Sequence, residues 1–139
     1  MLYPIGIQNF SDLRQGGYVY VDKTHLLHSL YSNGKYYFLS RPRRFGKSLL
    51  ISTMQAFFEG KKELFKGLAI EELEKEWNEF PVLRIDLTGK KYSSIEDLYS
   101  MLDKHLGAFE AQYGIKQRYP SMDLRFQTII EAAYRCTGR

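Results

Sequence analysis

The residues best suited to chemistry lie between Lys35 and Ser48, where Lys35, Arg41, Arg43, Arg44 and Lys47 supply five positive charges and no acid intervenes. The run Lys35-Tyr36-Tyr37-Phe38-Leu39 is nearly continuous apolar and aromatic sequence, and it leads through Pro42 into Gly46-Lys47-Ser48. A strand, a loop and a helix start in that order are what a phosphate-binding loop requires. The first backbone N–H groups of a helix lack intrahelical partners, and the helix dipole favours an anion beside them. Gly46 lets the backbone approach phosphate oxygens without a Cβ in the way. Lys47 is the residue expected to act on the reacting phosphates, reaching their β and γ positions, and the Ser48 hydroxyl is the expected Mg²⁺ ligand.

One position departs from the usual pattern. Counted back from Gly46, the place of the motif's first glycine is held by Arg41. An arginine before proline does not readily take the tight turn that glycine supplies there. The loop is therefore expected to follow a different path, with Arg43 and Arg44 adding charge near the phosphates. The plainer reading is a solvated basic loop in front of an ordinary amphipathic helix.

The elements that must position these residues follow from composition and pattern. A chain of 139 residues with 44% hydrophobic and 26% charged residues is one globular domain's worth of protein, outside the disordered and collagen-like classes. Its single cysteine, Cys136, excludes a disulfide framework and a multi-cysteine zinc module, and suits a reducing cytoplasm. No apolar stretch approaches the roughly 18 residues of a membrane span, and the start lacks a basic segment followed by an apolar one. Cytoplasmic localisation without a membrane partner is the expectation. The net charge of +4 is mild, and its concentration before Ser48, with acids following from Glu59 to Glu79, suggests a local anion site rather than a broad nucleic-acid face.

Along the chain, a helical turn over 11–15 stops at Gly16-Gly17 and a short strand is expected at Tyr18–Val21. A helix follows from about Thr24 to Tyr31, capped by Asp22 or Thr24. Lys35–Leu39 reads as a buried central strand. A helix from Ser48 presents Leu50, Met54, Phe57 and Phe58 on one face and ends at Gly60, and a charged helix spans Glu71–Trp77. Pro81–Leu87 reads as a second strand. A capping box of Ser93 and Glu96 opens a long helix closed by Gly114, and a last helix runs from about Asp123 to Tyr134 with Phe126, Ile129, Ile130 and Ala133 inward. The order implies an α/β fold with a parallel sheet and flanking helices. Two firm strands and a short one fall below the usual sheet of about five or six, so that sheet is expected to be incomplete within these residues.

At this point the sequence resembles a known family. Arg41-Pro-Arg-Arg-Phe-Gly-Lys-Ser-Leu49 looks like the signature of bacterial predicted AAA-ATPase-like proteins. Pro4-Ile5-Gly6, Phe10, Tyr20-Val21-Asp22-Lys23-Thr24, Phe57-Phe58-Glu59-Gly60 and Pro81-Val82-Leu83-Arg84-Ile85-Asp86 extend the likeness over essentially the whole chain. Arg41 in the glycine position is itself what this family looks like. The resemblance implies a P-loop NTPase fold and an N-terminal domain part over residues 1–139 that ends before the Walker B strand. It also implies ATP with Mg²⁺, a variant Walker A loop of Arg43, Arg44, Phe45, Gly46, Lys47, Ser48 and Leu49, and often a downstream PD-(D/E)XK nuclease-like domain that would act on nucleic acid. Lacking Walker B carboxylates, these residues are expected to bind nucleotide without efficient hydrolysis.

Other constellations carry weaker signals. Asp86, at the end of an apolar run, either holds Mg²⁺ or caps a turn at Thr88-Gly89. Asp22-Lys23-Thr24 either touches nucleotide or caps a helix. His25 and His28 share a helical face without a third ligand, His105 belongs to a surface helix, and Cys136 has no evident activating partner. Glu59-Gly60-Lys61 spells half of a nuclease site but lacks its aspartate. Tyr36, Tyr37 and Phe38 could stack bases beside the arginines, although in a central strand they would be core. The alternative function is accordingly a basic-loop module that binds nucleic acid or a protein partner without hydrolysis.

Overall fold

The computed structural model describes residues 1–89 and 91–139. The chain divides into two compact units, Met1–Phe80 and Pro81–Arg139. In the first, α1 (Phe10–Gln15), α2 (Thr24–Asn33), α3 (Lys47–Phe58), a 3₁₀ turn (Lys62–Phe65) and α4 (Ala69–Leu73) follow one another. The second contains α5 (Ile95–Gln112) and α6 (Met122–Thr137).

The expected α/β architecture is overturned. Among the described residues there is no strand and no sheet, and the regular structure is helical. The three segments read as strands, 18–21, 35–39 and 81–87, run as irregular backbone. The nearest approach to a ladder is one parallel bridge between Leu2 and Tyr18, where the Val19 N–H donates to the Leu2 carbonyl at 2.9 Å. The physical reason is that apolar content and β-branching describe one segment, whereas a strand exists only when a second segment pairs its N–H and C=O rows. Tyr36 and Phe38, expected to be core, are each 93% exposed.

The first unit is built on aromatic packing. Phe10 and Phe65 are fully buried with ring centroids 4.8 Å apart, and Trp77 lies 5.2 Å from Phe65 and 5.6 Å from Phe57. Leu27, Ala56, Leu64, Leu68 and Ile70 complete this core. Helix α1 packs on α3 and α2 on α4. The buried stripe of α3 is Ser52, Thr53, Ala56 and Phe57, so of the face expected from the sequence only Phe57 is fully buried. Small hydroxyls are tolerated there because they are bonded: Thr53 donates to the Leu49 carbonyl at 2.8 Å, and Ser52 accepts the Phe10 N–H at 2.9 Å.

Glycine ends α3 as its sequence suggested. Gly60 has φ +70, its N–H donates to the Phe57 carbonyl, and the Lys61 N–H reaches back to Ala56, which is a Schellman closure. The same pair of bonds closes α1 at Gly17 and α5 at Gly114. Helix α4 is shorter than the expected Glu71–Trp77 and lies earlier, because Trp77 leaves the helical path to enter the aromatic core.

In the second unit α5 packs on α6 through Leu106, Phe109 and Ile129. The capping box of α5 is one residue later than expected: Ser94 accepts the Asp97 N–H while the Asp97 carboxylate accepts the Ser93 and Ser94 N–H groups. Phe126 and Ile130 stay exposed, and Arg125 turns inward instead. Its guanidinium donates to both oxygens of buried Glu110, at 2.8 and 3.0 Å, and to Asp103 at 2.5 Å. Those hydrogen bonds from Arg125 hold the Glu110 carboxyl below its ordinary pKa despite burial.

Two outcomes follow. Phe65→Ala removes a fully buried ring and should cost about 3–5 kcal/mol. Denaturant unfolding followed by the fluorescence of Trp77, the chain's one tryptophan, reads that loss. Because the folded pKa of Glu110 is depressed, its contribution is complete above the unfolded value near ~4.3 and disappears as pH falls through the folded value. The helical circular dichroism of the native chain should therefore melt at lower temperature below about pH 4.3, and Glu110→Gln should lose part of that pH dependence.

Candidate functional site

Helix α3 starts without a cap. Gly46, its N-cap residue, has φ +74 and ψ +19, and as a glycine it offers no side chain to cap the first turn. Its carbonyl accepts the Leu50 N–H at 2.9 Å to begin the helix. Arg44, two residues earlier, is also left-handed at φ +64. A non-glycine residue in that region costs on the order of 1–2 kcal/mol, so the loop's path carries strain that a glycine would not. These two left-handed residues take the loop into the helix and leave its first N–H groups exposed to solvent.

The structure gathers most of the expected site. Arg43, Arg44, Gly46, Lys47, Ser48 and Leu49 line one cavity of about 700 Å³. Arg43, Arg44, Lys47 and Ser48 are exposed, and Leu49 is half-buried against the aromatic core. Phe45 lines a second cavity of about 510 Å³ with Leu26, Leu30 and Leu39, and Gly46, Lys47 and Leu49 border both cavities. The Lys47 ammonium donates to the Arg41 carbonyl and lies 3.5 Å from the Pro42 carbonyl, so it folds back over its own loop. What the sequence reading missed is that Ile5, Gly6, Ile7 and Gln8 also line the larger cavity. The only available signal was that Pro4-Ile5-Gly6 belongs to the family-like residues.

The rival residues have other partners. The Asp22 carboxylate accepts the Thr24 N–H and hydroxyl at 2.8 and 2.7 Å and the Ala69 N–H at 2.7 Å, while Thr24 Oγ1 accepts the Ile70 N–H at 3.1 Å. Burial opposes ionisation of Asp22, but these hydrogen bonds outweigh it and hold its pKa below the ordinary carboxylate value. Asp86 accepts the Thr88 hydroxyl and N–H at 2.6 and 2.8 Å, which lowers its pKa and makes it the cap of its own turn. His105 Nε2 lies 2.8 Å from the Asp86 carbonyl oxygen, and His28 lies 3.9 Å from Glu74. Glu59 pairs with Lys61 at 2.7 Å. Among the described residues no three His, Cys, Asp or Glu side chains converge in a metal-holding group, and Cys136 is exposed.

A cationic loop wrapped onto an uncapped helix start, with a hydroxyl and an ammonium in its first turn, is an arrangement suited to a polyanion. The chain belongs to the family described as Predicted AAA-ATPase, whose profile matches residues 4–139. It is also similar to an uncharacterized protein encoded in the vnfD 5′ region of Azotobacter chroococcum mcd 1, 39% identical over 136 residues, which are 97% of this chain. The chain spans 26% of that relative's length. No solved structure matches the chain. No helix among the described residues is long and apolar enough to cross a membrane.

The strain at Arg44 is measurable. Arg44→Gly should raise stability by about 1 kcal/mol, because glycine adopts positive φ without steric cost. Thermal unfolding should show an increase of several degrees; a decrease would mean that Arg44 is held by contacts stronger than its strain.

Proposed function

We propose that this chain binds a nucleoside triphosphate, ATP with Mg²⁺, through the loop Arg41–Ser48 and the first turn of α3. The observation that carries the reading is the uncapped, left-handed entry into α3 at Gly46, facing a cavity lined by Arg43, Arg44, Lys47 and Ser48. Membership of a family described as a predicted ATPase supports the same chemistry. Exposed N–H groups at the helix start would take phosphate oxygens, and the dipole would add to the attraction. Lys47 would exchange the Arg41 carbonyl for β- and γ-phosphate oxygens, a stronger charge-assisted pairing. Arg43 and Arg44 would neutralise further charge from the loop side.

The donor set also fits Mg²⁺ in a limited way. Ser48 offers one exposed hydroxyl and the cavity contains no carboxylate, so the ion would be held by phosphates, water and Ser48. When bound, Mg²⁺ supplies charge neutralisation to the phosphates. Binding, rather than efficient hydrolysis, is the activity we assign to these residues, because no carboxylate lines the cavity to orient an attacking water.

A second reading has one specific observation in its favour: Tyr36 and Phe38, a few residues before Arg41 in sequence, are each 93% exposed, and proteins that bind single strands stack bases on exposed rings. Salt separates the two. Polymer binding falls steeply with salt as counterions are released, whereas mononucleotide binding should depend chiefly on Lys47.

The deciding measurement is the thermal midpoint with and without Mg-ATP in the native chain and in Lys47→Ala. A ligand at about 100 times its dissociation constant adds roughly 2.7 kcal/mol, a rise of several degrees. The rise should be present in the native chain and absent in Lys47→Ala. A rise that survives the substitution would overturn the assignment of Lys47.

A further inference from the structure

The second cavity, of about 510 Å³, lies in the first unit between α2 and α3. Helix α2 packs on α4 and α3 on α1, which leaves space between α2 and α3 themselves. Leu26, Leu27 and Leu30 form the α2 wall, and Leu49 and Leu50 form the α3 wall. Leu39 and Phe45 reach it from the segment that joins the two helices. Leu27 is buried in the aromatic core and Leu49 packs against that core, so both walls are fixed. Their neighbours are not covered: Leu26 is 52% exposed and Phe45 62%. Single apolar residues at a surface need no explanation, but these share one concave space.

The charged part of the lining has one sign. Lys23, Arg41 and Lys47 border the cavity and no carboxylate does. The Lys47 ammonium donates to the Arg41 carbonyl, so these two residues meet at one place on the rim. Arg43, Arg44 and Ser48 border the larger cavity and not this one.

We infer that this cavity binds an unbranched aliphatic carboxylate, its chain laid between the leucines of α2 and α3 and its head held by Arg41 and Lys47. The volume lies within the roughly 300–1,000 Å³ range of small-molecule sites, and a chiefly apolar lining with a few polar groups is what such sites present. The leucine walls offer no hydrogen-bonding side chain, so a sugar or a polar ring would give up water without replacement, whereas an alkyl chain gives up none. A head of one negative charge suits a guanidinium, which takes a carboxylate through two parallel N–H donors. The inference stands apart from the nucleotide reading, since it calls on no phosphate and no Mg²⁺.

Calorimetry of the native chain with octanoate and with decanoate, both below their micelle concentrations, should show one saturable site. Each methylene taken out of water strengthens binding by up to about fourfold, so decanoate should bind about tenfold more tightly than octanoate. Decan-1-ol, with the same chain and no charge, should bind about tenfold more weakly than decanoate. Leu26→Ser should weaken decanoate about fivefold. Arg41→Gln should do the same for decanoate and leave decan-1-ol unchanged. Ile51→Ser, at an exposed apolar residue of α3 outside the cavity, should change neither. All three side chains are exposed, so their replacement leaves the core intact. Equal binding of decanoate and decan-1-ol, indifferent to Arg41→Gln, would overturn the anionic head. Equal losses in Leu26→Ser and Ile51→Ser would put the chain on the open surface and overturn the cavity. Tighter binding of decyl phosphate than of decanoate would overturn the carboxylate in favour of a phosphate head. Absence of saturable binding by any of these chains would remove the inference altogether, and it would leave the response of the thermal midpoint to Mg-ATP untouched.

Discussion

Helix α3 can keep its first turn open to solvent because its last two turns are clamped. An uncapped helix start forgoes about 1 kcal/mol, and the left-handed Arg44 before it costs another 1–2. Against that, Phe57 packs among Phe65, Trp77 and Phe58, and each fully buried large apolar side chain contributes about 1.5–3 kcal/mol. The aromatic core therefore outweighs the local cost several-fold. It fixes the axis of α3, and with it the direction in which Lys47 and Ser48 leave the helix. The hydroxyls of Ser52 and Thr53 serve the same clamp: each buries on the packed face while bonded, so the helix keeps close contact with α1 without leaving a buried polar group unmet.

The helix starts of this chain are met in different ways, and α3 is not alone in lacking a side-chain cap, since Ser121 makes none at α6. The first N–H groups of α4 are met by Asp22 and Thr24, more than forty residues away in sequence, and those of α5 by the Ser94 and Asp97 box. In both cases an acidic or hydroxyl oxygen occupies the place where an anion would otherwise sit. At α3 the flanking side chains are cationic instead, and they surround the start without capping it.

In the second unit a buried charge network takes the place of a larger apolar contact. Arg125, 5% exposed, is held by Glu110 and Asp103, with Arg118 3.3 Å from Glu110. The desolvation cost of such a group is large, and only its bidentate geometry with Glu110 offsets it. The interaction is thus better at fixing how α5 and α6 meet than at adding net stability. It also explains why Phe126 and Ile130 remain outside: the buried face of α6 is the one carrying Arg125, Ile129 and Ala133.

The sequence by itself determined what neighbouring residues decide. Glycine stops at Gly17, Gly60 and Gly114 close their helices as read, because a left-handed residue after a helix is a local matter of backbone sterics. The loop from Arg41 to Ser48 and its passage into a helix at Gly46 were legible for the same reason, and so was the concentration of positive charge. Tertiary structure alone decided the rest. Whether Tyr36–Leu39 became a strand depended on a pairing partner, and none is supplied among the described residues. Whether Arg125 or Phe126 turned inward depended on Glu110, fifteen residues earlier. The attachment of the N-terminal segment to α3 depends on a hydroxyl at Ser52, more than forty positions from the Gln8 and Phe10 it bonds. Periodicity and propensity describe a chain within a few turns of itself, while burial, pairing and enclosure are properties of residues distant in sequence that come to share one space.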